Sequence, residues 1–149
     1  AESNFYCYAN SSVGAKGLMQ LLPSTAKWIA DELDEEFVEE KLYDVETNIK
    51  YGCFYLRYLS DKFNDFNALI CAYNAGEGRI ADCRNFAASR NVDRNSWDTI
   101  VSIIPLMRED SILEEESVKL GKFKGHETIA YIDNVMSLYE SICSIHPGA

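Results

Sequence analysis

Apolar residues recur along this chain at three- and four-residue steps, and no alternating run of useful length occurs, so the pattern predicts helices rather than strands. Residues 18–22 read as a short helix stopped by Pro23. Proline suits a first helical turn, and it opens a second helix with Ala26, Ile29, Ala30 and Leu33 on one face. An acidic connector, 34–41, follows, and Asp44 is placed to cap the next helix. That helix carries Ile49, Gly52, Cys53, Leu56, Leu59 and Phe63 at helical steps and is the clearest amphipathic segment in the chain.

Asn64-Asp65 breaks the pattern, and residues 66–73 continue as an apolar helix ending at Asn74-Ala75-Gly76. Gly76 and Gly78 punctuate a tight turn. Residues 79–89 read as helix, 91–95 as a polar loop, and Ser96 as the cap of a short helix that Pro105 ends. The stretch 106–124 is charged and less regular, with a helical turn or two within 112–120. A last helix, 126–143, puts Ile129, Ile132, Val135, Met136, Tyr139 and Ile142 on one stripe, and 146–148 are expected to fray. The expected architecture is one all-α domain spanning 1–149.

The length of 149 residues fits one domain that buries roughly two thirds of its unfolded surface. The apolar runs are far shorter than the ~20 residues that span a bilayer. No signal peptide is visible, and an exported protein would already have lost it. A net charge of −10 argues against nucleic acid, whose phosphates require a basic patch. It also argues against binding an anionic membrane or wall polymer by charge alone, and it leaves a neutral glycan open. Most of the acids in 31–40 and 109–116 fit an ordinary solvated surface. Five cysteines without a C-x-x-C pair, and only two histidines, make a zinc site a poor reading. Cys53 and Cys71 fall in apolar helical contexts and are expected in the core. A single disulfide through Cys7 or Cys83 stays open.

Three blocks carry chemistry. Glu2-Ser3-Asn4-Phe5 leads into Ser11, a Gly14/Gly17 turn and Leu18-Met19-Gln20-Leu21, ending at Pro23-Ser24-Thr25-Ala26. Ala72-Tyr73-Asn74-Ala75-Gly76-Glu77-Gly78-Arg79 closes an apolar helix. Glu127-Thr128-Ile129-Ala130-Tyr131 opens the last helix. A carboxyl group in an apolar pocket keeps its proton and can donate it, and Phe5 and Met19 are candidates for lining such a pocket around Glu2. Each block also has a plain structural reading: a surface carboxylate at Glu2, a helix C-cap at Tyr73-Asn74, and a first-turn acid facing the helix dipole at Glu127.

Together, in this order and spacing, the blocks resemble the catalytic domain of lytic transglycosylases of the soluble type, which share the goose-type-lysozyme fold. Asn48, Gly52, Tyr55 and Leu56 match a further N-x-x-x-G-x-x-Y-L spacing of that family, with Asn48 and Gly52 read as packing residues. The resemblance implies a lysozyme-like fold and a cut between N-acetylmuramic acid and N-acetylglucosamine in peptidoglycan. Glu2 would protonate the leaving oxygen and then, as carboxylate, take the proton of the muramoyl 6-hydroxyl, which closes a 1,6-anhydro ring. Ser11, Gln20, Tyr73, Asn74 and Glu127 would orient the sugar. No metal or cofactor is implied. The expected partner is the peptidoglycan glycan strand, outside the cytoplasm, with the domain free or within a larger wall hydrolase or a secretion or conjugation system.

Three departures from the family pattern stand out. Leu22 replaces the Met often found before the first proline, a charged insertion separates Pro105 from Glu127, and the helix that precedes the family's catalytic Glu is expected to be missing from a chain that begins at Ala1. Two other functions remain compatible. In a hydrolase, a distant Asp such as Asp44 or Asp82 would activate water, in keeping with the two carboxylates of ordinary glycosidases. In a glycan-binding domain, the cleft would be kept without catalysis.

Overall fold

A computed structural model of the chain describes residues 2–145, so the expectation for 146–148 lies outside the described residues. The all-α class is as the apolar spacing predicts: seven α-helices and two 3-10 helices among the described residues, and only isolated bridges in place of strands. Contacts divide the chain into two compact units, Ala1–Tyr58 and Leu59–Ala149.

The first unit begins with a loop, where residues 18–22 were expected to be helical. Lys16 and Leu21 instead exchange both backbone hydrogen bonds, at 2.9 and 3.1 Å, around a tight turn. Two residues of that turn, Gly17 at φ +76° and Gln20 at φ +48°, take left-handed backbone conformations that a right-handed helix cannot contain. Helix α1, Pro23–Glu32, then starts at the proline as expected and buries Ala26, Ile29 and Ala30. The acidic connector leads to a 3-10 helix, Glu39–Tyr43, that buries Leu42. Glu35 in the connector holds α2 through Lys50 and the Tyr51 hydroxyl, the latter at 3.1 Å.

Helix α2, Val45–Lys62, opens at Asp44, whose Oδ2 accepts from the Thr47 N–H and hydroxyl at 2.9 and 2.8 Å. The expected cap is present. Trp28 of α1 sits among the rings of Phe54, Tyr55 and Tyr58 of α2, with the Tyr58 centroid 4.6 Å away. The predicted apolar stripe is narrower than its spacing suggested: Gly52, Leu59 and Phe63 are buried, but Ile49 and Cys53 are exposed. Cys53 is therefore a surface thiol and not a core residue.

In the second unit, helix α3 (Phe66–Ala75) is capped by Asp65, whose Oδ1 accepts from Ala68 N–H at 3.0 Å. It packs on α4 (Glu77–Ser89), α5 (Trp97–Ile103) and α7 (Gly125–Ile145). Ser96 precedes α5 without a side-chain cap bond, and α5 ends just before Pro105, as expected, with a 3-10 helix, Ile104–Arg108, following it. Within the charged stretch lies a short α6, Asp110–Leu113, and Met107, Ile112, Val118 and Phe123 are buried along it. The insertion is thus a packed lobe. Helix α7 buries Thr128 and Ile132, while Tyr139 and Ile142 of its expected stripe are exposed. All five cysteines are free thiols, and burial pushes those of Cys71 and Cys83 up to about 12. No helix of the described residues is long and apolar enough to cross a membrane.

Candidate functional site

The six residues that the motifs single out fall into two groups, one in each unit. Glu2, Ser11 and Gln20 belong to the first. Glu2 is half-buried at the head of a turn-rich segment, with Tyr6 N–H bonded to Ser3 O and Ala9 N–H to Tyr6 O. Aromatic contacts anchor this segment: Tyr8 lies 6.1 Å from Tyr6 and 5.9 Å from Tyr43. Lys16 caps the cluster. Its Nζ donates to the Tyr43 hydroxyl at 3.1 Å, stands 3.4 Å from Glu39, and has its pKa raised, chiefly by the Tyr43 hydrogen bond.

Ser11 closes the next turn. Its Oγ accepts from Ala15 N–H at 3.0 Å while its own N–H donates to Ala15 O at 2.9 Å. Gln20 ties that turn back to the segment behind Glu2. Its Nε2 donates to Gly17 O at 2.9 Å and to Ala9 O at 3.2 Å, and Ala9 O also accepts from Gly17 N–H at 2.9 Å. The turn is fastened in turn to α2 by Asn48, which is 1% exposed. Asn48 Oδ1 accepts from Met19 N–H at 2.6 Å, and its Nδ2 donates to Leu42 O at 2.8 Å and Lys16 O at 3.1 Å. Asn48 is the packing residue its spacing suggested. Met19 lies on Gly52, where a Cβ would stand 2.7 Å from its Cγ and Cε. Phe5, by contrast, is 96% exposed, so the apolar wall expected of it beside Glu2 is not formed by that ring.

The second group sits where α3 ends. Gly76, at φ +89°, bonds its N–H to Ala72 O at 2.9 Å, and α4 begins at the next residue. This one-residue corner leaves Tyr73 half-buried and Asn74 exposed at the helix end. Asn74 Oδ1 accepts from Thr128 Oγ1 at 2.9 Å, so the second and third motif blocks are joined directly. Glu127, beside Thr128, is exposed and 3.2 Å from Lys124. Close packing fixes the start of α7: a Cβ on Gly125 would run into Ile104.

Two residues of α4 carry a structural load that spacing did not reveal. Arg79, the last residue of the second block, donates to the carbonyls of Gly121 and Lys122 and covers the Phe123 ring at 5.2 Å. Asp82, 4% exposed, accepts from Lys119 N–H at 3.1 Å and Leu120 N–H at 2.8 Å. The signal available in the sequence was a lone Asp on an otherwise apolar helix face. Both aspartates considered as a hydrolytic base are therefore engaged elsewhere. Asp82 is buried under two amides, and Asp44 is held low by its Thr47 backbone and hydroxyl donors.

Comparison with known proteins gives the family of the chain. The Transglycosylase SLT domain family matches residues 1–96, which include the first two motif blocks but not Glu127. The chain is 30% identical over 146 residues to a membrane-bound lytic murein transglycosylase F of Desulfosudis oleivorans, covering 93% of this chain and 30% of that protein. Proteins of the same name from Shewanella frigidimarina and Shewanella woodyi are 25% and 29% identical over 148 residues, covering 95% of this chain and 29% of each relative. The chain thus spans about a third or less of the length of these relatives. With the family match extending over more than half of its residues, the chain belongs to the Transglycosylase SLT domain family.

Proposed function

We propose that this chain is the catalytic domain of a lytic transglycosylase, working outside the cytoplasm on the glycan strands of murein. Glu2 is the catalytic group. As an acid it protonates the oxygen leaving the muramic acid carbon, and as the resulting carboxylate it accepts the proton of the muramoyl 6-hydroxyl. That hydroxyl attacks the anomeric carbon, closes the 1,6-anhydro ring and returns the proton to Glu2. Ser11 and Gln20 set the loop that faces the reacting sugar, and Tyr73, Asn74 and Glu127 align the strand.

The observation that carries this reading is the frame behind Glu2. Ala9 O takes two donors, one from Gly17 and one from Gln20, and Asn48 fixes the same turn to α2 through two bonds, to Met19 N–H and Lys16 O, with a third to Leu42 O of the 3-10 helix. A carboxylate that serves as acid and then base must hold its position between the two steps, and a loop closed by hydrogen bonds supplies that hold. One carboxylate suffices for the intramolecular route, and the engagement of Asp44 and Asp82 favours that route over attack by water.

Digestion of purified murein followed by mass analysis of the products tests the reading. The chain is expected to release anhydro-muramoyl ends, one water lighter than reducing ends. Glu2→Gln is expected to lower the rate by about 10²–10⁴-fold, the usual contribution of a positioned acid–base group. Reducing ends alone would show a hydrolase, and unchanged cleavage by Glu2→Gln would remove Glu2 from the mechanism.

A further inference from the structure

The second unit holds a hollow of about 490 Å³ whose lining includes Lys62, Phe63, Glu77, Arg84, Asn85 and Arg94. Three cations face one carboxylate here, in a chain whose net charge is −10. Glu77 is already used by Lys62, at 2.7 Å. Neither guanidinium takes part in an ion pair or a hydrogen bond with another described residue, and Arg84 Nε is buried without an acceptor. Asp65 lines an adjoining hollow with Arg84, but its Oδ1 is committed to the N-terminus of α3. Arg84 lies 4.9 Å over the ring of Phe63, which lines the same hollow. Its burial, and then the charge of Arg94, lower its pKa, as expected of two cations held close without an anion between them.

A buried unpaired donor on a charged side chain is costly, and a second cation held close to it adds to that cost. A ligand oxyanion removes both penalties, and guanidinium groups suit a planar, bidentate acceptor. The lining of the hollow also includes Glu77 and Gly78, two residues of the second motif block that follow the end of α3.

We propose that this hollow is a carboxylate-binding site, with Arg84 and Arg94 as the paired donors, that receives an acidic group of the peptides carried by the murein strand. The source of the ligand rests on the function proposed above, whereas the chemistry of the site rests on the two arginines alone. Apolar contact with Phe63 selects a carboxylate carried on a peptide over a free inorganic ion. Asn85 offers an amide to the peptide backbone.

Calorimetric titration of the whole chain with three probes at equal ionic strength tests this: a short acidic peptide with a free C-terminus, the same peptide with Gln for Glu and an amidated end, and inorganic phosphate. The acidic peptide is expected to bind saturably, at least tenfold more tightly than the neutral peptide or phosphate. Arg94→Gln changes an exposed loop residue and is expected to fold normally and to lose that preference tenfold or more. Equal binding of acidic and neutral peptides overturns the proposal, as does a peptide affinity indifferent to Arg94→Gln. Phosphate binding more tightly than the acidic peptide overturns the peptide source. No glycan and no cleavage enter the titration, so a Glu2→Gln chain that fails to cut murein but still prefers the acidic peptide separates this site from the catalytic reading.

Discussion

Gly17 shows how one missing side chain holds the first motif together. Its φ of +76° already favours glycine, and a Cβ there would run into Leu42 O and lie 2.7 Å from Asn48 Cγ. Gly14 has a similar φ of +83° but nothing within 4 Å of a Cβ. The two positions separate strain from crowding. Gly14→Ala is expected to cost about 1 kcal/mol, the left-handed penalty alone. Gly17→Ala is expected to cost about 2–4 kcal/mol, because it adds overpacking against an Asn48 that cannot move without breaking three bonds. Urea denaturation of both variants checks the contrast, and equal losses would mean that the clasp yields easily. Asp44 makes a pH-dependent contribution of known sign. Its Thr47 donors hold its carboxyl below the usual value, so its stabilisation is full above the unfolded pKa and lost as pH falls through the lower folded one. Asp44→Asn keeps the cap acceptor but removes the titration. Its stability is expected to fall less steeply than that of the parent between about pH 4 and pH 2, as read by thermal melts across that range.

At the scale of elements, helix α4 reaches beyond its own turn to fasten the charged insertion. Asp82 takes the amides of Lys119 and Leu120, and Arg79 takes the carbonyls of Gly121 and Lys122. Asp82→Ala leaves two amides without acceptors near a buried position, at a cost of about 2–3 kcal/mol. Hydrogen exchange should locate the damage: faster exchange at Lys119 and Leu120, with the Asn48-bonded Met19 amide unchanged. Acceleration at Met19 as well would mean that the variant loosens the whole chain. This lobe also marks where reading from sequence stopped. Helices with a cap or proline signal (α1 at Pro23, α2 at Asp44, α3 at Asp65) were legible because local chemistry starts them. The turn within 18–22 was expected to be helix, since its apolar run is short and the bonds that hold it otherwise, Gln20 to Ala9 O and Met19 N–H to Asn48, join residues distant in sequence. The exposure of Ile49 and Cys53 on α2 was equally invisible, because spacing gives a stripe but not the width of what covers it.

Across the whole molecule, the candidate site was legible as residues and not as a device. Motif spacing picked out Gln20 and Asn74, but not that Gln20 binds Ala9 O or that Asn74 receives Thr128, since both bonds join distant parts of their units. Charge was legible in full from the composition, and it leads to a prediction about encounter with substrate. A chain of net charge −10 approaching an anionic wall polymer is repelled over distances set by the ionic strength. The screening length is about 30 Å at 0.01 M salt and about 8 Å at 0.15 M, so the repulsion spans the protein in dilute buffer and fades in moderate salt. Repulsion acts on approach and not on a sugar already bound at the site proposed around Glu2. The apparent KM for insoluble wall material is therefore expected to fall several-fold between those salt concentrations while kcat stays constant. Soluble, uncharged glycan fragments should show neither change. A KM that rises with salt would instead mean that a local attraction, such as the basic hollow of Arg84 and Arg94, governs capture of the polymer, and such a rise would be lost in Arg94→Gln.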